Sequence, residues 1–129
     1  MKLLVVDDSP EIVEILSSMM ELIGHQVSKA YDGTEAVKLL HNNRYDVVIT
    51  DAKMPIMDGI ELCRFIKSQS AGVYVIGITG YPEAMKELKA AGADICLSKP
   101  FRIEEVEEAI EKRRPFLSGV GTTALQLII

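Results

Sequence analysis

A chain of 129 residues, 48% hydrophobic and 26% charged, can bury one core without metal or cross-link support, and this composition excludes a disordered or fibrous protein. A formal charge of −5, with no Lys/Arg stripe interleaved with aromatics, argues against direct association with nucleic acid. Two carboxylates, Asp7 and Asp8, follow only four apolar residues, too few for a signal-peptide core or a membrane span, so the expected compartment is the cytoplasm.

The apolar run Leu3 to Val6 predicts a first buried strand. Ser9 as N-cap and Pro10 as first helical residue then start a helix whose inward face is expected to be Ile12, Ile15, Leu16, Met19 and Ile23, with Gly24 closing it. Gln26 to Ala30 forms a weaker, more polar strand. A second helix is expected from Thr34 to His41, burying Ala36, Val37, Leu39 and Leu40 before the Asn42-Asn43 break. Val47 to Thr50 predicts the third strand, and a helix from about Gly59 to Gln69 turns Ile60, Cys63 and Ile66 inward. Val73 to Thr79 is the fourth strand. The helix after it, from Pro82 to Gly92, has only Met85 and Leu88 as large apolar residues and is expected to be the least firmly packed. Ile95 to Leu97 is the fifth strand. The last helix, Ile103 to Arg114, buries Ile103, Val106 and Ile110, with Glu104 and Glu105 near its start and Arg113 and Arg114 at its end to match the helix dipole. Cys63 and Cys96 lie in apolar stretches without metal-ligand or C-x-x-C spacing and read as small core residues.

Strict alternation of strand and helix predicts an α/β fold, a parallel sheet with helices on both faces joined by right-handed crossovers. In such sheets ligands bind beyond the carboxyl ends of the strands. The residues at those ends are Asp7 and Asp8 after the first strand, Asp51 after the third, Thr79 after the fourth and Lys99 after the fifth. Three carboxylates at one rim repel one another, by ~1 kcal/mol per pair at ~4 Å even in water, and so call for a cation. Oxygen-only ligands at an open rim suit Mg²⁺, a lysine adds fixed positive charge, and a threonine hydroxyl can donate to an anionic oxygen. Such a set can stabilise a phosphoryl group in transit, with Asp51 as the nucleophile. Taken singly, each residue has an ordinary reading: Asp7-Asp8-Ser9-Pro10 as a capping cluster, Asp51 as a loop acid before Pro55, Thr79 as a strand-end residue, Lys99 as a solvated lysine. Their joint placement at one rim carries the functional reading.

The motifs Leu-Leu-Val-Val-Asp-Asp-Ser-Pro at 3–10, Asp-Ala-Lys-Met-Pro-Ile-Met-Asp-Gly at 51–59, Ile-Thr-Gly at 78–80 and Leu-Ser-Lys-Pro-Phe at 97–101 together resemble the receiver domain of two-component response regulators, over about residues 2 to 114. The resemblance implies a flavodoxin-like, doubly wound five-stranded parallel sheet of order 2-1-3-4-5 with five helices. It further implies a phosphoryl acceptor at Asp51, served by a phosphohistidine on a sensor histidine kinase or phosphotransfer protein, in a switch that is not itself an enzyme. Asp8, Asp51 and the backbone carbonyl of Lys53 would hold Mg²⁺ directly, Asp7 through a coordinated water, and Lys99 would pair with Asp51 and then with the phosphate. A cis peptide bond between Lys99 and Pro100 is implied as well.

Two features depart from the family. Cys96 stands where a switching aromatic is usual, and Lys53 and Tyr81 occupy positions that modulate access of hydrolytic water. Residues 1–114 are read as the receiver domain and 115–129 as an extension of unknown role. Its apolar end, Ala124 to Ile129, is too short to span a membrane, and the chain is expected to be a monomer or a weak homodimer. The alternatives are a pseudo-receiver scaffold that is not phosphorylated, a haloacid-dehalogenase-type hydrolase, which would need an acid where Lys53 stands, and a flavin carrier, whose phosphate Asp7 and Asp8 would repel.

Overall fold

The computed structural model describes residues 1–69 and 72–113. Along the chain run β1 (Lys2–Val6), α1 (Pro10–Leu22), β2 (Gln26–Ala30), α2 (Gly33–Asn42), β3 (Val47–Asp51), α3 (Gly59–Gln69), β4 (Tyr74–Thr79), α4 (Pro82–Ala90) and β5 (Ile95–Ser98), and a fifth helix, α5, covers residues 103–113. All four strand pairings are parallel, and the sheet order is β2-β1-β3-β4-β5. The order reverses between β1 and β3, which opens a crevice above their carboxyl ends.

The period of two along the strands divides the core. Leu3 and Val5 of β1, Val47 and Ile49 of β3, and Ile76 and Ile78 of β4 face Val13, Leu16 and Met20 of α1 and Val106, Ala109 and Ile110 of α5. Their alternates Leu4, Val6, Val48 and Val75 face the other way, against Ala36, Leu62, Cys63, Ile66 and Leu88 from α2, α3 and α4. Each fully buried Leu, Ile or Val contributes about 1.5–3 kcal/mol, so the central strands, buried along nearly their whole length, are the rigid platform of the molecule.

The local signals act as expected at most element ends. The Ser9 hydroxyl accepts the Ile12 N–H at 3.5 Å and Pro10 opens α1. Gly24 adopts a φ of 99°, the left-handed conformation that ends the helix. The expected face of α1 is wrong, however. Leu16 is buried, but Ile15, Met19 and Ile23 are 60%, 41% and 46% exposed, and Val13, Ser17 and Met20 take the inward side. Apolar residues occupy more than half of this helix's circumference, so its period alone selects no single inward face. Val37, Leu39 and Leu40 of α2 are half-buried rather than fully so. On α4 only Ala84 and Leu88 are buried, in line with a lightly anchored helix. As the outer strand beside β4, β5 leaves Cys96 half-buried, and both cysteines are free thiols. Burial pushes the Cys63 thiol up to about 11. Among the described residues no helix is long and apolar enough to cross a membrane. The extension expected at 115–129 lies outside the described residues.

Candidate functional site at the strand carboxyl ends

The crevice receives its side chains from the last turns of backbone pairing. Asp7 prolongs β1, its N–H donating to the Ala30 carbonyl at 3.2 Å, and its carboxylate Oδ1 accepts the Ser9 N–H at 2.9 Å. Asp7 is therefore buried and oriented before any ligand arrives, whereas Asp8, next in the chain, is exposed. Asp51 is the last residue of β3 rather than the first beyond it, and is 9% exposed. Its Oδ1 accepts the Ala52 N–H at 2.9 Å. Carboxylate oxygens of Asp7, Asp8 and Asp51 all lie within 4.8 Å of one another.

Lys99 enters from the end of β5, where its N–H bonds the Thr79 carbonyl at 2.9 Å and a cis bond leads to Pro100. Its ammonium stands 3.3 Å from Asp7 Oδ2 and 3.4 Å from Asp51 Oδ1. The pairing expected with Asp51 is present, and it is shared with Asp7. Thr79, 2% exposed, ends β4 opposite Ser98, and its hydroxyl accepts the Tyr81 N–H at 3.1 Å. Lys53 is exposed in the loop after β3.

One ammonium among three carboxylates leaves the site short of positive charge. Burial and the neighbouring Asp7 raise the Asp51 carboxyl above its ordinary value, against the opposing pull of Lys99. Burial alone would lower the Lys99 ammonium, but Asp51 and Asp7 outweigh it and hold that group above the usual lysine value. Hard, closely spaced oxygen donors with an unbalanced negative charge fit a small divalent cation such as Mg²⁺.

Sequence reasoning brought Asp7, Asp8, Asp51, Thr79 and Lys99 to this rim, but it missed residues that shape the rim from beneath. Thr50, fully buried, donates its hydroxyl to the Asp51 carbonyl at 2.9 Å. Gly33 opens α2 one residue before the expected Thr34 and lies against Met57 of the loop after β3. The sequence carries no local signal for a contact between segments so far apart.

Comparison with known proteins agrees with this geometry. Residues 3–111 match the family model described as the response regulator receiver domain. The chain is 37% identical over 107 residues to the response regulator MprA of Mycobacterium sp. (strain KMS), covering 81% of this chain and 46% of that protein, so it spans about half the length of this curated relative. It is 35% identical over 120 residues to the sporulation initiation phosphotransferase F of Bacillus subtilis, covering 92% of this chain and 97% of that one. Its structure superposes on the response regulator protein TrrA of Thermotoga maritima, solved in complex with Mg²⁺-BeF, with a TM-score of 0.81 and 32% identity, over 87% of this chain and 97% of that one. With its acidic pocket, its strand order and this match along most of its length, the chain belongs to the response regulator receiver domain family of two-component systems.

Proposed function

We propose that Asp51 is the phosphoryl acceptor of this receiver domain, and that Asp7, Asp8, Asp51 and the backbone carbonyl of Lys53 hold Mg²⁺, with Asp7 acting through a coordinated water. The observation that carries the reading is the convergence of three carboxylates, with oxygens within 4.8 Å of one another, two of which, Asp7 and Asp51, also meet the ammonium of Lys99. When bound, the ion would neutralise the carboxylates and the oxygens of the phosphoryl group in transit. The Mg²⁺-BeF complex of TrrA supports the choice of metal.

Ala52 N–H and Lys99 both address Oδ1 of Asp51, which leaves Oδ2 to attack phosphorus. The O–P bond to Asp51 forms as the P–N bond of a phosphohistidine breaks, and the electron pair departs with the donor's imidazole nitrogen. Lys99 then turns from the carboxylates to the new phosphate, and Thr79 donates its hydroxyl to it. The chain acts as acceptor and switch, not as an enzyme that releases a product, in the cytoplasm and without contact to nucleic acid. Moving the Thr79 hydroxyl inward gives up the bond from Tyr81 N–H, directly before α4, which is held by Ala84 and Leu88 alone among its buried residues. Taking such an equilibrium from 1:99 to 99:1 requires roughly 5.5 kcal/mol, within reach of a few charge-assisted bonds to a dianion.

The donor is a protein, a sensor histidine kinase or a phosphotransfer protein. What supports this is the outward face of α1: Ile15, Met19, Leu22 and Ile23 form an exposed apolar stripe on the helix that begins two residues after Asp8. A partner lying along it reaches the crevice. Residues 1–114 form the receiver unit in this reading, and 115–129 lie beyond it.

Incubation with Mg²⁺ and acetyl phosphate or phosphoramidate, followed by intact mass, tests the proposal. Wild type gains one hydroxylamine-labile phosphoryl group and Asp51→Asn gains none; equal labelling of the variant removes Asp51 from its role. Met19→Lys labels like wild type with acetyl phosphate but slowly with a phosphohistidine protein, and equal slowing with both donors would contradict the α1 assignment.

A further inference from the structure

The loop between β3 and α3, residues 52–58, carries the Lys53 carbonyl assigned above to the metal, and it is pinned by two glycines. At its far end a Cβ on Gly59 would land on the Asp51 carbonyl, and the Gly59 N–H donates to the Ala52 carbonyl at 2.9 Å. The start of α3 is thereby locked to the acceptor strand. Two residues before Gly59, at Met57, the loop rests on Gly33. A Cβ there would stand 2.8 Å from Met57 Cβ and 2.9 Å from Met57 Cγ, and closer still to the Met57 carbonyl oxygen. The nearest of these atoms is backbone, so no change of rotamer relieves the contact.

Neither helix can retreat at low cost. Asp32 caps α2 by accepting the Glu35 N–H at 2.8 Å and the Thr34 hydroxyl at 2.6 Å, and Glu35 reaches back to the Tyr31 N–H at 3.2 Å. Asp58 caps α3, accepting the Glu61 N–H at 2.9 Å. On the Lys53 side of Met57 the loop has little slack: Ile56, a β-branched residue, sits at a φ of 72°, and Met57 N–H bonds the Pro55 carbonyl at 2.9 Å. Any shift forced at Met57 must be taken up by residues 53–56, the stretch that presents the carbonyl.

We infer that Gly33 is a positioning residue for the metal site, acting through Met57 to set the path of the loop that offers the Lys53 carbonyl. The inference rests on the metal role proposed for that carbonyl. It is tested by calorimetric Mg²⁺ titration and urea unfolding of the full chain as wild type, Gly33→Ala and Ala36→Gly. The last variant weakens the same helix at a buried position and leaves Gly33, with its close approach to Met57, as it is.

Gly33→Ala should weaken Mg²⁺ binding about ten-fold, as loss of an outer support does, while Ala36→Gly lowers stability and leaves affinity within about two-fold. Adding Ile56→Gly to Gly33→Ala gives the loop slack and should recover part of the loss. Wild-type affinity in Gly33→Ala, or an equal loss in Ala36→Gly, overturns the inference. If Gly33→Ala does not fold, Met57→Ala trims the side chain beyond Cβ from its seat on Gly33 and should weaken Mg²⁺ binding, by less than ten-fold, at near wild-type stability; unchanged affinity there overturns it too. A wild type that binds no Mg²⁺ would instead overturn the proposed function, and this inference with it.

Discussion

The two ends of the sheet use the same residue types to opposite ends. At the amino ends each acid is matched: Asp46 accepts the Lys2 N–H at 2.7 Å and lies 4.0 Å from Arg113 Nη2, and Asp94 accepts the Val75 N–H at 2.8 Å and the Lys67 ammonium at 2.6 Å. Lys67 also donates to the Val73 carbonyl at 2.9 Å, so this cluster ties α3, β4 and the start of β5 together. At the carboxyl ends Asp7 and Asp51 share the one ammonium of Lys99, and the Asp8 carboxylate adds a third negative charge within 4.8 Å of theirs. Paired charge staples the fold at one end, and negative charge exceeds positive at the other.

The contrast can be broken from either side. The largest effect is expected at the amino end, where Asp94→Ala leaves the N–H of fully buried Val75 without its acceptor and should lower unfolding free energy by about 1–3 kcal/mol. Urea denaturation reads the loss, and labelling by acetyl phosphate per folded molecule should not change. An equal loss of labelling would mean that the two ends are not separable.

At the carboxyl end Asp51→Asn should act the other way, stabilising the metal-free protein by about 1 kcal/mol at neutral pH through relief of the cost of burying that charge and of its repulsion by Asp7. The sign follows from the Asp51 carboxyl lying above its ordinary value of 3.8, chiefly through burial and Asp7. Between that value and the raised one the folded chain holds more protons than the unfolded chain, so its stability falls as pH rises through this window. The advantage of the variant is therefore full above the raised value and vanishes on acidification below about 3.8. Parallel stability curves for the two proteins across acid pH would refute the assignment. The smallest effect belongs to Arg113→Ala: the ion pair is 4.0 Å long with the Asp46 side chain 43% exposed, and the Nε bond to the Asp46 carbonyl is long at 3.4 Å, so the loss should be below about 1 kcal/mol in the same urea assay.

Glycine and proline punctuation with short apolar runs was enough to locate every strand and helix to within a few residues, because each element here ends at a local signal such as Ser9-Pro10, Gly24 or Asn42-Asn43. The strand order 2-1-3-4-5 came from family resemblance, since spacing alone does not choose among right-handed windings. The inward face of α1 was misread because its apolar residues, Ile12, Val13, Ile15, Leu16, Met19, Met20, Leu22 and Ile23, surround most of the helix. Periodicity then fixes no single face, and only the sheet decides. Asp7, Asp8, Asp51, Thr79 and Lys99 were legible because strand ends in a parallel sheet converge by construction. The sharing of Lys99 between Asp7 and Asp51 and the seat of Met57 on Gly33 were not, since both depend on contacts between distant segments.

The claim that the carboxyl-end crevice is a divalent cation site is tested most directly by thermal unfolding with and without Mg²⁺ for wild type, Asp8→Asn and Asp51→Asn. Wild type should gain about 2.7 kcal/mol at a hundred-fold excess of Mg²⁺ over its dissociation constant, and both variants should gain little at that concentration. A wild type indifferent to Mg²⁺, or variants stabilised as much as it is, would contradict the account.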